Sequence, residues 1–163
     1  INILGSCLFP KKDNTTENLD DLFYREYLSN DITIEKVYTT NVGNNISGKK
    51  LDKEIGVVIP TYNRPEYLKL TLESIKSSDL NNTVLILIDD YSQDDRTLEM
   101  LLEFEVNNVP IIKIFKNQNC NMYHSLKLGW RILKKMGCKY ICNVDSDTLV
   151  RPEWLKTLKS VYE

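Results

Sequence analysis

A chain of 163 residues, 42% of them hydrophobic, is long enough to bury the core of one domain. A net charge of −2 gives no basic footprint and so sets nucleic acid aside as a partner, and no apolar run approaches the roughly 20 residues of a membrane-spanning helix. Four cysteines, Cys7, Cys120, Cys138 and Cys142, are few and irregularly spaced for a disulfide framework, and one histidine speaks against zinc, so reduced, partly buried thiols are expected.

The chain divides near Leu51, and residues 1–54 read as an N-terminal extension and linker. Leu19, Leu22, Phe23 and Tyr27 recur at helical spacing within residues 16–29, with Thr16 or Asn18 as a cap, and a short strand follows at about 31–38. Asn41, Gly43, Asn44, Asn45, Ser47 and Gly48 then form a small, polar stretch without apolar periodicity. Ile1 stands where a start methionine would, which implies a sequence trimmed from something longer; a cytoplasmic location is expected.

From Ile55 the pattern alternates strand and helix four times. Residues 55–60 read as a strand and 65–77 as a helix, with Pro65 in its first turn and Leu68, Leu72 and Ile75 on one face. Residues 84–88 are a continuous apolar run of the kind buried on both faces of a parallel sheet. A helix over 96–106 carries Leu98, Leu101 and Leu102, and a strand over 111–115 follows Pro110. The helix over about 122–136 turns Leu126, Trp130 and Leu133 inward, stops at Gly137 and leads into a strand over 140–144; a last helix starts at Pro152. This βαβαβαβα series predicts an α/β domain over residues 55–163, with a mainly parallel sheet, helices on both faces, and the first and fourth strands as neighbours.

Ligands of such sheets bind outside the carboxyl ends of the strands. Pro60, Thr61, Tyr62, Asn63 and Arg64 follow the first strand, Asp89, Asp90, Tyr91 and Ser92 the second, and Asp145 and Asp147 the fourth. Residues i and i+2 of an extended segment share a side, so both late carboxylates would face one site while Ser146 faces away. Paired carboxylates suit Mg2+ or Mn2+, whose remaining positions are filled by water and phosphate oxygens. Neither G-x-G-x-x-G nor G-x-x-x-x-G-K-[ST] is present, so no glycine loop wraps a phosphate and a cation would have to neutralise it.

Plainer readings compete. Strand ends often carry solvated carboxylates or helix caps, but the helix after Asp147 starts too late for either residue to cap it. Ser92-Gln93-Asp94-Asp95 reads as a capping arrangement, which assigns Asp94 and Asp95 to structure and leaves Asp90 for function. Tyr62 could be a turn aromatic and Arg64 a helix flank. His124 reads as surface or packing, and Trp130 and Trp154 as core or subunit contact.

Val57-Val58-Ile59-Pro60-Thr61-Tyr62-Asn63-Arg64, Ile88-Asp89-Asp90-Tyr91-Ser92-Gln93-Asp94 and Asn143-Val144-Asp145-Ser146-Asp147, with Pro152 and Leu155 beyond, resemble the GT-A glycosyltransferases, closest to family 2. The resemblance covers about residues 55–159. It implies a Rossmann-like GT-A domain that binds a nucleoside-diphosphate sugar, most simply a UDP-sugar with GDP or dTDP as the alternatives, through Mn2+ or Mg2+, and transfers the sugar to a hydroxyl of a carbohydrate or glycoconjugate acceptor. It further implies that Pro60, Thr61, Tyr62, Arg64, Asp90 and Asp145 line the nucleotide. Tyr62 would lie against the base, Asp90 would hydrogen-bond it, Asp145 would approach ribose or metal, and Asp147 would hold the cation. Family members carry an acceptor half and, in inverting enzymes, a catalytic carboxylate beyond the position of Glu163, so the catalytic residue is expected outside residues 1–163. Asn119-Cys120-Asn121 departs from the family, which places a glycine there. The reading from another class is a non-catalytic module of the same fold that binds a nucleotide sugar or carbohydrate, or serves in assembly. An ion-dependent adhesion site is weaker, because Asp94 occupies the last position of the D-x-S-x-S that such a site needs.

Overall fold

The computed structural model describes Asp31, residues 33–42 and residues 52–162. Within them lie five strands, β1 (Ile34–Thr40), β2 (Ile55–Thr61), β3 (Thr83–Asp89), β4 (Ile111–Lys116) and β5 (Tyr140–Asn143). Four helices alternate with them: α1 (Pro65–Lys76), α2 (Asp95–Glu103), α3 (Met122–Met136) and α4 (Trp154–Tyr162).

The strands form one sheet in the order β1-β4-β3-β2-β5. β2 pairs in parallel with β3 on one side and β5 on the other, and β3 pairs in parallel with β4, so the sheet is mainly parallel as the pattern predicts. β2 is therefore the strand on whose two sides the chain order runs in opposite directions, and a crevice opens at its carboxyl end. β1 pairs antiparallel with β4, from Ile34 opposite Lys116 to Thr40 opposite Ile111. The stretch read as an N-terminal extension thus supplies an edge strand to the sheet. The helix expected over 16–29 and the polar stretch 43–48 lie outside the described residues.

Alternation along the buried strands builds two cores. Val57, Ile59, Leu85 and Leu87 meet Leu68, Leu72 and Ile75 of α1 and Leu98 and Leu101 of α2 on one face. Val58, Ile86, Ile88, Ile112 and Ile114 meet Leu126, Leu128, Ile132 and Leu133 of α3 on the other. Each fully buried aliphatic side chain stabilises the fold by roughly 1.5–3 kcal/mol relative to exposure. α3 lies unusually close to β2, because Gly56 and Gly129 have no Cβ. One at Gly129 would stand 2.6 Å from a methyl of Val58, and one at Gly56 2.6 Å from a methyl of Leu133.

Helix ends follow local chemistry. α2 starts at Asp94, whose carboxylate accepts the Arg96 N–H, and ends three residues before the expected Val106 because Phe104 turns extended and buries its ring. α3 spans the expected residues, with the Asn121 side chain accepting the His124 N–H and Gly137 at φ 89° closing its carboxyl end. Cys120, Cys138 and Cys142 are free thiols, and burial pushes Cys138 and Cys142 up to about 11, which keeps both protonated.

Candidate functional site

The site forms where three strand ends meet. Pro60, Thr61, Tyr62, Arg64, Asp90, Asp145 and Asp147, all expected from the sequence, line one cleft of about 270 Å3 together with Met122 and Ser146.

The loop after β2 is fixed by hydrogen bonds rather than by apolar packing. Asn63 and Arg64 both sit in the left-handed region, at φ 52° and 57°. The Asn63 N–H donates to Ser92 Oγ at 2.8 Å, and its side-chain oxygen accepts the N–H groups of Gln93 and Asp94 at 2.8 and 3.2 Å. One asparagine therefore ties the β2–α1 loop to the β3–α2 loop. Tyr62 is left 47% exposed at the cleft wall, open for a flat ligand to lie against.

Asp89 and Asp90 point to opposite faces of the sheet. Asp89 is 2% exposed; its Oδ2 accepts the Ser92 N–H at 3.0 Å, while Oδ1 has no partner among the described residues. Burial pushes its carboxyl up to about 6, against the pull of the Ser92 hydrogen bonds, and the neighbouring Asp90 adds to the rise. Asp90 is also buried, but it is paired: Lys116, itself fully buried at the end of β4, donates to Asp90 Oδ1 and also reaches Ser125 Oγ of α3 at 3.3 Å. The Cys120 N–H donates to the same Oδ1 at 3.1 Å.

Asp145 and Asp147 do not lie on an extended segment, contrary to the i, i+2 expectation. β5 stops at Asn143, and residues 145–148 form a turn in which the Thr148 N–H reaches the Asp145 carbonyl at 3.1 Å. The turn brings Ser146, expected to face away, into the cleft wall with both carboxylates. α1 holds this segment from beneath. Thr71 Oγ1 donates to the Ser146 carbonyl at 3.0 Å, and Ser74 Oγ accepts the Val150 N–H at 3.2 Å. Both aspartates are exposed, and Asp147 stands 3.5 Å from the Arg64 guanidinium.

No cluster of three or more metal-ligating side chains occurs among the described residues. Two exposed carboxylates beside an open cleft still fit a hard cation that takes its other oxygens from water and a ligand. Lys116, Cys120, Ser125 and Met122 are the site residues that sequence reasoning passed over. The signal for Lys116 was present, since a period of two places it on the face of Ile112 and Ile114, the face to which Asp90 belongs.

Residues 56–163 match the glycosyl transferase family 2, and the chain belongs to that family. It is 28% identical over 112 residues to an uncharacterized glycosyltransferase of Haemophilus influenzae, covering 67% of this chain and 32% of the relative. It is 29% identical over 108 residues to glycosyltransferase GlyA of Streptococcus pneumoniae, covering 66% of this chain and 15% of that one. The crystal structure of S. aureus TarS 1-349 in complex with UDP superposes with a TM-score of 0.54 at 25% identity, covering 66% of this chain and 31% of the other. The fold is thus that of a GT-A glycosyltransferase domain, and the chain spans about a third or less of the length of these proteins.

Proposed function

We propose that the cleft binds a nucleoside-diphosphate sugar, with UDP as its nucleotide, and serves transfer of the sugar to a hydroxyl of a carbohydrate or glycoconjugate acceptor. The observation that carries this reading is the convergence of all seven predicted residues on one cleft at the carboxyl ends of β2, β3 and β5. The UDP complex of the TarS domain supports the choice of nucleotide.

Each residue then has a role set by its surroundings. Tyr62 offers an apolar face to the base, and Pro60 and Thr61 shape the floor beneath it. Asp90 accepts a hydrogen bond from the base edge. Asp145 and Asp147 hold Mn2+ or Mg2+, with Asp145 turned toward ribose, and Arg64 adds positive charge near the diphosphate. The cation would supply charge stabilisation for the leaving nucleoside diphosphate.

Calorimetry of UDP with and without Mn2+ tests the reading. Two carboxylates repel a diphosphate unless a cation intervenes, so EDTA and Asp147→Asn should each weaken binding by about tenfold or more. Equal affinity with and without metal would defeat it.

A further inference from the structure

Asp90 is a carboxylate with its two oxygens in different circumstances. Oδ1 takes the Lys116 ammonium and the Cys120 N–H, and both side-chain hydrogen bonds of this carboxylate among the described residues fall on that one oxygen. Lys116 is fully buried and Asp90 nearly so, yet Asp90 lines the cleft. The ammonium is an unusual thing to bury at a strand end, and no apolar packing requires it: Ser125 Oγ is its only other partner among the described residues. A buried ammonium has a use here if it fixes the polarity of the carboxylate in front of it.

We infer that Lys116 is the specificity-determining positioning residue of the cleft. By occupying Oδ1 from behind, it sets a counter-charge against Asp90, fixes the carboxylate in one orientation and leaves Oδ2 to meet the base. This inference rests on the reading of Asp90 as the base contact. An acceptor at that position pairs with an edge that presents a ring N–H, as the imide of uracil does. It faces a lone pair in cytosine, whose ring nitrogen at the same position is an acceptor. The selection against cytosine therefore comes from a residue that does not touch the nucleotide. Two acceptors set against each other, with neither able to reach water, cost roughly 1–3 kcal/mol, or about tenfold and more in affinity.

The same geometry predicts how the preference can be reversed. In Asp90→Asn the Lys116 ammonium and Cys120 N–H still demand an acceptor at the inner position, so the amide oxygen turns inward and the amide N–H2 turns to the cleft. The cleft then donates where it had accepted. In Lys116→Met the inner partner of Oδ1 is gone, so the carboxylate is no longer held in one orientation and the acceptor is no longer fixed toward the base.

UDP and CDP titrations in one Mn2+ buffer test this on wild type, Asp90→Ala, Asp90→Asn, Lys116→Met and Lys116→Arg, each checked for folding by circular dichroism. Wild type should prefer UDP. The ratio of UDP to CDP affinity should fall by about tenfold or more in Asp90→Asn and in Lys116→Met, and Lys116→Arg should retain most of it. A merely structural lysine would lower both affinities and leave the ratio alone. An unchanged ratio in Asp90→Asn overturns the inference, as does an unchanged ratio in folded Lys116→Met; if Lys116→Met does not fold, Asp90→Asn decides. Asp90→Ala separates the two levels of argument. If it binds UDP like wild type, the base contact itself falls and this inference with it; if it loses UDP while Asp90→Asn keeps the wild-type ratio, only the role of Lys116 falls.

Discussion

The molecule carries two acid pairs at its strand ends, and they are built in opposite ways. Asp89 and Asp90 are 2% and 3% exposed and answer to the protein, one to Ser92 and the other to Lys116 and Cys120. Asp145 and Asp147 sit on a turn in solvent, and the only ion pair between them and the described residues is the open contact with Arg64. A buried acid is oriented before any ligand arrives, and the surrounding groups decide its charge. An exposed acid keeps its charge at little cost and can give it to a cation. The first arrangement suits reading the shape and polarity of a base, the second suits holding a metal and a diphosphate.

Breaking the buried pair should give the largest effect. Lys116→Met leaves an uncompensated carboxylate in the interior, and a urea titration should show a loss of about 3–5 kcal/mol. Adding Asp90→Asn to that variant should restore part of it, because the amide carries no charge. If Lys116→Met were as stable as wild type, the pair would not be buried in the sense described.

Asp89 gives the next effect, and its sign depends on pH. An ordinary aspartate titrates at 3.8, whereas burial holds this one at about 6 in the folded chain. The neutral acid therefore stabilises the fold fully below about pH 3.8, and that contribution is lost as pH rises through about 6. Asp89→Asn cannot ionise, so thermal unfolding should show its stability gaining on wild type by roughly 3 kcal/mol between pH 3 and pH 7. A constant difference across that window would mean that Asp89 is not buried as described.

The exposed pair should behave in the reverse way. Asp145→Asn and Asp147→Asn should leave the urea midpoint nearly unchanged, within about 0.5 kcal/mol, while lowering UDP affinity in Mn2+ by about tenfold. Arg64→Ala should do least. Its pair with Asp147 is solvent-screened on both sides, so stability should shift by no more than about 0.5 kcal/mol. A larger loss would place Arg64 in the framework of the cleft rather than on its rim.

Much of this was legible in the sequence because the signals were redundant. β3 is one unbroken apolar run, α3 carries both its period and its Gly137 stop, and the strand ends announced the cleft residues one by one. What the sequence concealed were the features made by partners far apart in the chain. The turn at Asp145 exists because Thr71 and Ser74 of α1 hold it, and no local pattern around 145–147 carries that information. Lys116 ends the run Ile-Ile-Lys-Ile-Phe-Lys, where a lysine reads as a solvated strand terminus. Alternation puts it on the buried face of Ile112 and Ile114, but the polar partners that let an ammonium stay there, Asp90 and Ser125, come together only in three dimensions. β1 was expected as a strand, but its place beside β4 depended on pairing across most of the domain.

That antiparallel edge has a consequence for the order in which the chain becomes structured. β1 is made early on the ribosome, yet its hydrogen-bonding partner is β4, so it must wait until β2, α1, β3 and α2 have all emerged. During that wait its backbone is an unpaired strand edge, the kind of surface on which nascent chains associate wrongly. Its sequence tempers the risk, since Ile34 and Val37 are its two buried apolar residues and Glu35 and Lys36 stand between them. Closing so long a loop is slow compared with folding a local hairpin, and β1 should be the last strand to gain protection from hydrogen exchange during refolding.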